Sequence, residues 1–235
     1  MSRLPRIIAV AVLAMAPIAT ASAGAVGDYE ASLRRAYADY RAALFFTNAG
    51  NAAKATSAVN AFAEQWTALT AGEPPPQYAD DAAYAKTTEQ VSALADRAAA
   101  EIVGGQLAAA HETLEAVREE IGALHERNGV ISFSDRMNAY HARMEQILAA
   151  GNGTLDAAAM GRLREEAAVL VFLADGIARH PPVESGSLEF ASLLSAMENS
   201  AMVLLEATRA GDAAATANAL KALKPAYAKF FLKFG

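Results

Sequence analysis

Residues 106–129 read QLAAAHETLEAVREEIGALHERNG, and their pattern decides the fold. Leu107, Leu114, Val117, Ile121 and Leu124 recur at helical spacings, and the run stops on Asn128-Gly129, as an amphipathic helix does. Residues 212–235, DAAATANALKALKPAYAKFFLKFG, lie over this stretch without a gap, placing Leu114 over Leu220 and Gly129 over Gly235. Other punctuation repeats as well. Ala49-Gly50-Asn51 is answered by Ala150-Gly151-Asn152, Tyr40 by Tyr140, and the prolines at 74–76 by Pro181-Pro182. Breaks that recur in the same order, at a period of about 106 residues, predict an internal duplication.

Away from these stretches alanine is abundant and β-branched runs are missing, so the chain reads as all-α. Glycine and proline breaks near 50, 72–76, 104–105, 128–129, 151–153, 181–182 and 210–212 divide it into eight helices. Each helix carries one apolar stripe, which needs neighbours to cover it. The expected architecture is two tandem antiparallel four-helix bundles, residues 24–130 and 131–235. Ile131 and Phe133, in the linker, predict that the two pack together. Trp66, Tyr37, Tyr40, Phe45, Phe46 and Phe62 read as core of the first bundle.

The chain opens MSRLPRIIAVAVLAMAPIATASAG, with Arg3 and Arg6, then an apolar run, then Ala21-Ser22-Ala23. This is the layout of a secretory signal peptide over residues 1–23, cleaved after Ala23, and it predicts a periplasmic or secreted protein. Nothing beyond Gly24 reads as long and apolar enough to span a bilayer, so the mature chain is expected not to cross a membrane. Losing the leader removes two cations and no acid, taking the formal charge from −6 to −8. So acidic a chain is not a general nucleic-acid binder, because phosphate neutralisation needs clustered Lys and Arg. There is no cysteine. That removes disulfides, thiolate metal clusters, thiol catalysis and covalent haem.

The closing stretch, ALKALKPAYAKFF at 219–231, preceded by a helix and an Ala-Gly-Asp turn in an exported chain, resembles the last hairpin of the cytochrome b562 and cytochrome c′ group of periplasmic four-helix bundles. The resemblance implies the bundle fold in both halves. For the c′ type it implies haem attached through a Cys-x-x-Cys-His that this chain lacks. For the b562 type it implies a Met on the first helix and a His on the fourth. The second half has Met137 but no His on its last helix. The first half has His111 and His125 on its fourth helix but no Met on its first.

Four histidines stand at 111, 125, 141 and 180. His180 precedes Pro181 at a helix end and reads as a C-terminal cap. His111 and Arg118 border the apolar stripe of their helix, where polar side chains usually hydrogen-bond between helices. The run Arg118-Glu119-Glu120 reads as a solvated face. In FSDRMNAYHARMEQIL, residues 133–148, the helical step puts Met137 at 0°, His141 at about +40° and Met144 at about −20°. A hairpin centred near Ile131 would bring His125 opposite Met137. His125, Met137, His141 and Met144 are therefore the candidate metal ligands, two imidazoles and two thioethers suited to copper and above all to Cu(I). The same methionines also suit a plain core. Non-covalent haem, held by Met137 or Met144 with a histidine, is the alternative cofactor. A cofactor-free module that binds another periplasmic protein is the alternative function. No nucleophile elbow, His-Glu-x-x-His, Glu-x-x-His or phosphate loop occurs, so no enzyme activity is expected.

Overall fold

The computed structural model describes residues 24–235, and all regular structure within them is helical. The eight helices are α1 (Gly24–Asn48), α2 (Ala52–Thr70), α3 (Tyr84–Val103), α4 (Leu107–Arg127), α5 (Phe133–Gly151), α6 (Ala157–Arg179), α7 (Leu188–Ala210) and α8 (Ala213–Phe234). Short 3-10 turns at Pro76–Tyr78 and Val183–Gly186 fill the two proline-bearing connections. The expected leader and its cleavage point lie outside the described residues.

Helix starts follow the polar residues at the breaks. Asn51, Ser132, Asp156, Ser187 and Asp212 each accept a backbone N–H from the first turn of the helix they precede. Ser132 does so within a capping box, since the Asp135 carboxylate in turn accepts the Ser132 N–H at 2.7 Å. α4 ends on Gly129, whose φ of +66° lets Val130 N–H reach His125 O at 3.0 Å and its own N–H reach Glu126 O at 3.1 Å. This pair of bonds reverses the chain into α5.

Helices α1 to α4 close on one another as a ring of four, and α5 to α8 do the same. The two rings meet where α1 lies against α8, and one buried cluster of apolar residues runs through both. Tyr40 ties α1 to α4, donating its buried hydroxyl proton to Leu114 O at 2.8 Å. Arg41, buried on α1, donates to the main-chain oxygens of Gly235 and Lys233 at the far end of the chain. Trp66, Tyr37, Tyr40 and Phe62 are core, as expected. Phe45 differs: it is exposed, packed edge-on to Phe46 beside Lys54. His180 caps α6, its Nδ1 lying 2.9 Å from Gly176 O.

α7 departs from the expectation about membrane spans. By length and composition it is apolar enough to cross a bilayer, although only a third of that window is buried inside the protein. It packs between α6 and α8, burying Phe190, Met197, Ala201, Leu204 and Leu205, while Leu188, Met202 and Val203 stay exposed.

Candidate functional site

The α4–α5 hairpin fixes what each predicted ligand can reach. His125 faces Asp135, Nδ1 to Oδ2 at 2.8 Å, and Arg118 faces His141, Nη1 to Nδ1 at 3.1 Å. The hairpin thus turns about Val130 rather than Ile131, because the glycine stop and the capping box follow each other at once. Arg118 and His125 are two helical turns apart on α4, so His125 and His141 are separated by about 10 Å along the hairpin. The structure therefore brings His141 and Met144 to one pocket and places His125 elsewhere.

His125 is almost fully buried at the hairpin end, where its ring lies parallel to Tyr78, 7° between planes and 6.3 Å between centroids. Tyr78 comes from the turn between α2 and α3. That loop is held to the end of α4 by Arg127 and Asn128, which donate to Asp81 at 2.7 and 2.9 Å. The Asp135 carboxylate accepts from both Ser132 and His125, which orients the imidazole as a carboxylate orients a metal-bound histidine. Met137 is fully buried in the core.

The second place is a pocket of about 80 Å³ lined by residues of α1, α4, α5 and α8. His111, Glu115 and Arg118 enter it from α4, His141 and Met144 from α5, and Lys224 and Tyr227 from α8. Tyr227 stacks on His141, 5.1 Å between centroids, and the ring of Tyr140 stacks on Tyr227 in turn. His111 and Arg118 make the interhelical hydrogen bonds expected of them. Arg118 is nevertheless turned inward rather than solvated, bridging Glu115 and His141.

Proton positions follow from the partners. A guanidinium only donates, so Nδ1 of His141 accepts and its Nε2 carries the hydrogen, 3.5 Å from Glu145 Oε1. Thr47 Oγ1 stands 3.2 Å from Nδ1 of His111 and within 3.0 Å of the carbonyls of Ala43 and Leu44. Nε2 of His111 stands 3.6 Å from Glu115 Oε1. Burial lowers the pKa of both histidines, and for His141 burial, reinforced by the Arg118 charge, takes it to about 4. Both rings are neutral at pH 7. Lys224 reaches Glu145 Oε1 at 3.1 Å and Arg118 pairs with Glu115, so each of the two cations lining the pocket has a carboxylate partner.

Two His-x-x-x-Glu pairs, 111/115 and 141/145, thus stand one on each arm of the hairpin, with His111, Glu115 and His141 lining the pocket and Glu145 at its edge against Lys224. Neither glutamate was singled out as a ligand by sequence reasoning, although the i, i+4 spacing was there to be read. Among the described residues, no three His, Asp or Glu side chains stand together in metal-ligating geometry. No family model, curated protein or solved structure matches the chain.

Proposed function

We propose that this is an exported, non-catalytic helical-bundle protein that binds a single metal ion, copper favoured, in the pocket where its two halves meet. The ligand set is revised to His111, His141 and Met144, with Glu115 and Glu145 as carboxylate donors, and the two histidine–glutamate pairs must close on each other to share one ion. The observation that carries this reading is the spacing within each histidine–glutamate pair, 3.6 Å for 111/115 and 3.5 Å for 141/145. Two donors bound to one ion at about 2.0–2.1 Å, at tetrahedral angles, stand about 3.4 Å apart.

Binding requires two exchanges, the first being that Lys224 leaves Glu145 Oε1, the oxygen that also faces His141. His141 would ligate through Nε2, which puts its hydrogen on Nδ1 and displaces Arg118. Arg118 keeps Glu115 Oε2 as its partner, leaving Oε1 for the ion. Two neutral imidazoles and a thioether favour Cu(I), and the carboxylates favour a harder ion. A volume of about 80 Å³ suits an ion and its water, whereas organic ligands occupy about 300–1,000 Å³. That favours an ion over non-covalent haem.

Calorimetric titration of the mature protein with Cu(I) and Cu(II) tests the proposal. Stoichiometric binding that falls at least tenfold in His111→Ala and in His141→Ala is expected, with His125→Ala close to wild type. Equal weak binding by all four proteins overturns it.

A further inference from the structure

A second cleft, of about 880 Å³, opens between the N-terminal half of α1, the start of α5 and the end of α8. Among the described residues, five cationic side chains line it, Arg34, Arg35, Arg41, Arg136 and Lys233, against one carboxylate side chain, Glu30. This runs opposite to the chain as a whole, whose formal charge is −6. Like charges gathered in one concavity raise its potential and draw in anions.

The cations differ in what already holds them. Lys233 has Glu189 at 2.6 Å, and Arg41 donates to main-chain oxygens. Arg35 donates to the Ser32 hydroxyl at 2.8 Å, and neither it nor Arg136 has a carboxylate partner among the described residues. A guanidinium offers a planar fork of donors that matches an oxyanion with two parallel hydrogen bonds. Beside these groups the cleft is apolar. Ile131 is 68% exposed and Val183 83% exposed, and the rings of Phe133 and Phe234 line the same space. Cationic forks beside exposed apolar surface, in a volume typical of small-molecule sites, define an amphipathic ligand.

We propose that this cleft binds a small organic oxyanion, its carboxylate or phosphate ester held by Arg35 and Arg136 and its apolar body laid against Ile131, Phe133 and Val183. The site is independent of the metal pocket and uses none of its residues.

Calorimetry on the mature protein with benzoate, phenyl phosphate, inorganic phosphate and benzyl alcohol is the test. At least one aromatic anion is expected to bind one-to-one, at least tenfold tighter than inorganic phosphate or benzyl alcohol, and more weakly as salt is raised. Whichever of benzoate and phenyl phosphate binds tighter identifies the head group. Arg136→Gln should weaken binding about tenfold, and so should Arg35→Gln, whose exposed position leaves the fold intact, with His141→Ala unchanged. The proposal is overturned if neither aromatic anion binds, if benzyl alcohol binds equally well, or if the folded Arg35→Gln protein binds like wild type.

Discussion

Arg118 of α4 and His141 of α5 meet at 3.1 Å inside the protein, and the guanidinium dictates which imidazole nitrogen carries the hydrogen. A positive neighbour that only donates, on a ring walled in by Tyr227, makes protonation of His141 unfavourable in the folded state.

Acid should therefore destabilise the protein through this residue. The folded pKa of about 4 lies below the ordinary histidine value of 6.5, so the unfolded chain binds the proton more readily. Stability from this source is complete above pH 6.5 and is lost as the pH falls toward 4, by up to about 3 kcal/mol. Urea titrations at pH 7 and pH 4.5 on wild type and His141→Gln measure it. The same acid-induced loss in both proteins would assign the effect to other groups.

His125→Ala should cost about 2 kcal/mol, because it removes the bond to Asp135 and the stack on Tyr78 from a buried position. Copper affinity should hardly change. A tenfold loss of copper binding in a variant that still folds would restore His125 to the ligand set.

Gly129→Ala should cost about 1–2 kcal/mol, since a side chain is disfavoured at a φ of +66° although nothing lies within 4 Å of the added carbon. Chemical denaturation gives the number. A neutral substitution would mean that the α4–α5 turn relaxes without loss.

The apolar cluster passes from one ring of helices into the other without interruption. Thermal unfolding should therefore be a single transition, with circular dichroism and tyrosine fluorescence coinciding. Two separated transitions would show halves that are energetically independent.

Helix number and breaks were legible because glycine, proline and capping residues act locally: Asn51, Ser132 and Asp212 each satisfy a backbone donor three residues on. The stripe containing Met137 and Met144 was legible for the same reason, being a consequence of helical period. The partner of His125 was not. It depends on the hairpin register, and moving the turn from Ile131 to Val130 exchanges a thioether for the carboxylate of Asp135. Nor could the basic cleft be read from the chain, because Arg34, Arg35, Arg136 and Lys233 lie on three helices and are far apart in sequence. Composition averages such groups into an acidic whole, and only packing gathers them.

Arg41 has a consequence for how the molecule is made. Its guanidinium is buried on the first helix, yet the oxygens it holds belong to Lys233 and Gly235. The two sides of this contact are 192 and 194 residues apart, so it closes only when both rings of helices are in place. Contacts that bridge so much sequence form late and slow the final step of folding. A chain truncated before α8 should remain protease-sensitive in α1, where residues 24–235 together are protected.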